Sequence, residues 1–193
     1  MLLSILKLYN KVVNNLRNYD FLALLAIRIF LVPVIYVGAH SKVTGFAGSV
    51  QLMSDLGLPF PTALAFIAAS AEVCGCIFIT LGLFTRIISI PMIFLMSVAS
   101  LTVHWKHGWD AIATSSMEST WRLNSFIEWL SVNFPGRYNY ITELGDPVIL
   151  NNGMEFAVTY FVMLSVLFFF GGGRYVSADY WLKKSINKKL SSQ

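Results

Sequence analysis

Four apolar stretches, roughly 21–39, 63–83, 87–103 and 156–170, dominate this 193-residue chain, and two of them carry a charge near the middle. Each approaches the ~20 residues that an α-helix needs to cross a hydrocarbon layer about 30 Å thick. Arg28 lies in the first stretch and Glu72 in the second. Hydrocarbon cannot solvate either charge, so both need partners inside the protein. The expected fold is all-α: a four-helix transmembrane bundle with a polar interior.

Composition supports this class. Charged residues make up 12% of the chain, against about 25% in soluble domains, and mean hydropathy is +0.65. Four spans use more than a third of the chain, which implies one integral-membrane domain over 1–193. The net charge of +4 does not mark a nucleic-acid binder, because the basic residues flank apolar helices instead of forming one patch. That placement suits a lipid bilayer with anionic headgroups as partner. Lys7 and Lys11 interrupt any apolar core of a signal peptide before Tyr19. Leu2, Ile5, Leu6, Tyr9, Val12, Val13 and Leu16 recur at helical spacing, opposite Ser4, Lys7 and Asn10. This predicts an interfacial helix at the N-terminus. Tyr175, Tyr180 and Trp181, followed by four lysines at 183, 184, 188 and 189, predict another at the C-terminus. Lys7, Lys11, Arg17, Arg86, Arg174 and those lysines fall on one side of an even-span arrangement. The positive-inside rule then puts both termini in the cytoplasm.

Along the chain, Pro33 is a candidate kink in span one. Residues 41–61, with Gly45, Gly48, Asp55 and Gly57, read as a connection outside the hydrocarbon. Gly82 closes span two, and the short Thr85-Arg86 turn makes spans two and three a hairpin. Pro91 is expected in the first turn of span three. Lys106–Asn152 is too long for a structureless loop and contains a helix pattern over Thr120–Phe134. There Leu123, Phe126, Ile127, Leu130 and Phe134 share a face. Trp105, Trp109, Trp121 and Trp129 suit the headgroup level. The segment therefore reads as a partly helical outer cap. Gly171-Gly172-Gly173 ends span four and lacks the strand and spacing of a phosphate loop.

Two groups of residues are candidates for chemistry. Arg28 is twelve residues from His40, and Glu72 eleven from Pro61. Both therefore sit about 17 Å below the outer ends of antiparallel helices, where they are expected to meet as an intramembrane ion pair. Ala65, Ala68, Ala69, Gly75 and Cys76 share the side of Glu72 and allow close helix approach. A structural pair is the first reading and a proton or quinone site the second. The other group is His40, His104 and Glu155, at the outer ends of spans one, three and four, with His107 nearby. They outline an outer polar pocket bounded by Trp105 and the turn Asn151-Asn152-Gly153. Imidazole and carboxylate ligate copper or zinc, so His104, His107 and Glu155 are the candidate metal ligands, with a hydrogen-bond cluster as the alternative. Cys74 and Cys76, two apart on a helix, diverge and read as packing residues.

Arg28, Gly-Ala-His-Ser-Lys at 38–42, Gly57-Leu-Pro-Phe-Pro61, Glu72 and Leu81-Gly-Leu-Phe-Thr-Arg86 together resemble the DoxX family over about residues 20–175. The resemblance implies a small four-helix protein of the bacterial inner membrane. Three further stretches, 102–110, 142–153 and 171–181, are similar to the HvfX subgroup, associated with maturation of copper-binding modified peptides. Other relatives resemble membrane subunits of thiosulfate:quinone oxidoreductases or of redox-stress complexes. Three functions follow as expectations. The chain is a membrane partner in copper-related peptide maturation or export, with other membrane or peptide-maturation proteins as its partners; a quinone-linked oxidoreductase subunit; or a structural scaffold. Copper and quinone are the cofactors these readings bring. The resemblance transfers no catalytic residue, and whether the chain is an enzyme stays open.

Overall fold

The computed structural model describes residues 2–192, with side chains from residue 5 onward. Leu2 and Ser4 of the expected N-terminal amphipathic pattern thus lie outside the described side chains. The described residues are helical almost throughout. They form α1 (Leu2–Leu16), α2 (Asp20–Thr44), α3 (Phe46–Asp55), α4 (Pro61–Leu81), α5 (Thr85–Val98), α6 (Glu118–Asn133), α7 (Pro135–Thr142), α8 (Glu155–Phe170) and α9 (Ala178–Leu190). Extended pairing among them is limited to the isolated bridge between Ile112 and Leu150.

Among the described residues, three helical runs are long and apolar enough to cross a membrane: Ile5–Thr44, Pro61–Leu81 and Thr85–His107. The all-α membrane fold is therefore present. The expected fourth span, α8, has 16 residues. At 1.5 Å per residue it rises about 24 Å, short of a 30 Å hydrocarbon layer.

The chain divides into two compact units, one of residues up to 96 and from 160, the other of 97–159. In the first unit α2 buries Arg28, Leu31, Ile35 and Ala39, a stripe at three- and four-residue spacing. Helix α4 turns its small residues Ala65, Ala68, Ala69 and Gly75 inward together with Glu72. The core is Leu31, Ile35, Ile79, Ile88, Met92, Leu164 and Leu167, contributed by α2, α4, α5 and α8. Ile29, Phe30, Phe66, Ile67, Ile87 and Phe94 face outward. Lipid rather than water is the solvent that favours such an apolar exterior.

Several expected boundaries move. The connection 41–61 is mostly helix, because α2 runs past Pro33 to Thr44 and α3 follows within two residues. Pro91 is inside α5 instead of in its first turn, since the helix begins at Thr85. Helix α4 ends as expected at Gly82, whose φ of +63° is left-handed. The Gly82 N–H donates to the Ile79 carbonyl and the Leu83 N–H to that of Phe78, at 3.2 and 2.9 Å. This paired closure satisfies carbonyls that a helix end otherwise orphans.

In the second unit, the run from α5 continues as a π-helical segment Ala99–His104 and a 3-10 turn Trp105–His107. The helix expected over Thr120–Phe134 is present as α6, and it stops before Pro135, which opens α7. Its inward stripe is narrower than expected. Leu130 is buried, whereas Phe126 and Phe134 are exposed and flank the Trp129 ring at 6.0 and 5.6 Å.

Candidate functional site

The two charges inside the first unit have separate partners. Arg28 donates from Nε to the Ile79 carbonyl at 2.7 Å and from Nη2 to that of Thr80 at 2.6 Å. Its Nη1 donates to the Gly172 and Val176 carbonyls at 2.9 and 3.0 Å. Ile79 and Thr80 lie in the last turn of α4, where the helix dipole presents partial negative charge. The guanidinium fork thus binds the end of α4 to the turn after α8, and few of its five N–H donors are left over. A Cβ on Gly82 would lie 2.8 Å from the Arg28 Cζ and 2.6 Å from the Ser177 Cβ. Only glycine suits that place, for its left-handed backbone and for the close approach.

Glu72 receives Lys42 instead, with Nζ at 2.8 Å from both carboxylate oxygens. The carboxylate side chain is 7% exposed and the lysine side chain 28%. A Cβ on Gly38 would come within 3.0 Å of the Glu72 Oε2, so this glycine lets α2 pass directly over the carboxylate. The expected Arg28–Glu72 pair is thereby corrected. His40 is not the end of α2, and the register set by Gly38 puts Glu72 opposite residues 38–42. Arg28 lies ten residues earlier, about 15 Å along the helix.

The turn between α4 and α5 is held from the other side as well. The Asp179 carboxylate accepts the N–H groups of Phe84 and Thr85 at 2.7 and 2.9 Å, and the Asp179 N–H donates to the Gly82 carbonyl at 3.0 Å. Ser177 caps α9 by accepting the Tyr180 N–H, and its own hydroxyl donates to the Gly173 carbonyl. Among the described residues, Thr85 Oγ1 is buried without a hydrogen-bond partner. Nearby, Arg174 donates to the Asp20 carboxylate and the Arg17 carbonyl. The Asp20 hydrogen bond raises the Arg174 pKa above the ordinary arginine value.

In the second unit the Asn151-Asn152-Gly153 turn is tied to 104–111. Asn151 Nδ2 donates to the carbonyls of His107 and Asp110, both at 2.8 Å. His104 Nδ1 lies 2.8 Å from the Asn152 carbonyl, so the neutral ring donates from Nδ1 and keeps its lone pair on Nε2. Glu155 Oε2 accepts the Ala111 N–H at 3.2 Å, and the Gly153 N–H donates to the Asp110 carbonyl at 3.1 Å. His104, Glu155, Asn151 and Asn152 therefore belong to one hydrogen-bonded cluster. His40 lies on α2 in the first unit, exposed, with its ring 5.9 Å from that of Tyr36.

The expected metal set does not assemble. Among the described residues no three His, Cys, Asp or Glu side chains converge as ligands. The Glu155 carboxylate and His104 Nδ1 are engaged with backbone groups, and among the described residues the exposed His107 side chain has no partner. Cys74 and Cys76 are free thiols, Cys76 packing against the core.

Sequence reasoning missed Lys42, Ser177 and Asp179. Lys42 stands one helical turn after Gly38, a spacing that puts both on one face. Ser177 followed by Asp179 is a helix-start pattern. Nothing local marks Asp179 as the cap of a helix 94 residues away.

The DoxX family profile matches residues 23–105. The chain is 39% identical over 102 residues to "Inner membrane protein YphA" of Escherichia coli (strain K12), covering 50% of this chain and 71% of that protein. It is 29% identical over 82 residues to "Putative oxidoreductase CatD" of Bacillus subtilis (strain 168), covering 42% of this chain and 60% of that protein. No solved structure matches. The matched region contains Arg28, Gly38, Lys42, Glu72 and Gly82, the residues that fasten α2 to α4, and the chain belongs to the DoxX family.

Proposed function

We propose that this DoxX-family protein is a bacterial inner-membrane partner in the maturation or export of a copper-binding modified peptide, working as one integral-membrane domain with both termini in the cytoplasm. Copper is then carried by the peptide, and no ligand set on this chain is required. The observation that carries the reading is the cluster around Asn151. Two of the stretches that resemble the HvfX subgroup, 102–110 and 142–153, are hydrogen-bonded to each other through Asn151, Asn152 and Gly153. Segments fastened in this way offer a fixed surface to a protein partner, with Trp105 and Trp109 exposed beside it. The test is deletion of the gene in its host, followed by mass spectrometry and copper analysis of the peptide. Unmodified or retained peptide, restored by the wild-type gene, supports the role. Unchanged peptide mass, export and copper content refute it.

A second reading is a membrane subunit of a quinone-linked oxidoreductase. It is favoured by the name of the Bacillus relative, a putative oxidoreductase. Lipid extraction of the purified protein decides it: stoichiometric quinone supports this reading, and quinone at the level of bulk membrane removes it.

A further inference from the structure

A cavity of about 940 Å³ opens in the first unit beside the starts of α2 and α5 and the end of α8. Its wall is of two kinds. Ala23, Leu24, Ile27, Ile87, Val166 and Phe170 give it an apolar side. Arg17, Arg86, Arg174 and Lys183 give it four cations, against the two carboxylates Asp20 and Asp179. Both carboxylates are already engaged, Asp20 with Arg174 and Asp179 with the first N–H groups of α5. Among the described residues, the side chains of Arg86 and Lys183 have no ion pair or hydrogen bond. The positive charge at this rim is therefore not neutralised from within the protein.

Arg17, Arg86 and Arg174 sit at the ends of apolar helices, where a headgroup layer would begin, Lys183 joins them from α9, and Ile87 and Phe170 are exposed in the same wall. Such a wall suits a molecule with an anionic head and an apolar tail. A guanidinium binds phosphate oxygens in two-point fashion, and a lysine adds a mobile point charge. We infer that this cavity is a binding site for an anionic phospholipid, with Arg86 and Lys183 on its phosphate and the Ile27–Ile87–Phe170 wall against its acyl chain. A zwitterionic lipid brings the same tail, but its own ammonium opposes the rim. Free phosphate shares the head chemistry and leaves the apolar wall uncovered. The inference does not rest on the copper or quinone readings.

Native mass spectrometry of the purified full-length protein tests it, with phosphatidylglycerol or phosphatidylcholine added to the micelles. At least fivefold preferential retention of phosphatidylglycerol is expected. Arg86→Gln/Lys183→Gln should bring the two lipids to parity, and Lys188→Gln/Lys189→Gln, outside the cavity, should leave the preference intact. Equal retention of both lipids by the wild type, or the same loss in both double variants, overturns the site as a mere charge effect. Displacement of phosphatidylglycerol by millimolar inorganic phosphate reassigns the cavity to free phosphate and also overturns the lipid proposal. A photoactivatable phosphatidylglycerol on the wild-type protein gives a readout that does not depend on a variant folding. Labelling confined to the lining at 17–27, 84–87 and 166–183 supports the site, and labelling spread over the helices contradicts it.

Discussion

The Asp179 carboxylate caps α5 from the far end of the chain, accepting the Thr85 N–H at 2.9 Å. With Arg28 on the preceding carbonyls of α4, it fastens both sides of one tight turn. Asp179→Ala should lower stability by about 1–2 kcal/mol, the usual cost of losing a helix cap. Asp179→Asn keeps one acceptor oxygen and should lose less. Thermal unfolding of the purified protein in micelles measures both, and an unchanged midpoint for Asp179→Ala would remove the cap from the account.

Thr85 Oγ1 is fully buried and has no hydrogen-bond partner among the described residues. A buried unsatisfied hydroxyl costs roughly 1–3 kcal/mol, so Thr85→Val, close in volume, should be neutral or stabilising. A lower unfolding temperature in Thr85→Val would mean that the hydroxyl is satisfied by a group from outside the chain.

The second unit depends on Asn151. Asn151→Ala leaves the His107 and Asp110 carbonyls without their side-chain donor, a loss on the order of 1–3 kcal/mol. Amide exchange should quicken at 108–113 and 151–155 while residues 60–82 stay protected. Uniform quickening through both regions would mean that the cluster is not a local feature.

Membrane crossing by the Thr85–His107 run makes a separate prediction. Reporter fusions after Arg86 and after Arg137 should fall in opposite compartments, the first cytoplasmic by the positive-inside rule. The same compartment for both would place α5 on one side of the membrane.

What was legible in the sequence was what local chemistry determines. Gly82 as a helix end, α6 before Pro135 and the small-residue face of α4 all follow from neighbouring residues. The partners of the buried charges were not legible, for two reasons. Depth along a helix depends on where the helix ends, and α2 continues to Thr44 instead of stopping at His40. In addition, Arg28 binds backbone carbonyls, which every residue carries, so no side chain in the sequence announces them. Of the five residues expected at an outer polar pocket, His104, Asn151, Asn152 and Glu155 share one hydrogen-bonded cluster, and His40 lies in the other unit. The cluster's hydrogen-bonding role follows from backbone partners that spacing alone does not reveal.

The two charges inside the first unit serve separate contacts, Glu72 with Lys42 and Arg28 with the end of α4. Paired double-mutant cycles, read as unfolding free energies of the purified protein, distinguish these contacts. Glu72→Gln with Lys42→Gln should show a coupling of about 1–3 kcal/mol, at the lower side because Lys42 is partly exposed. Glu72→Gln with Arg28→Gln should be additive within about 0.5 kcal/mol. Strong coupling of Glu72 to Arg28, with additivity between Glu72 and Lys42, would contradict the account.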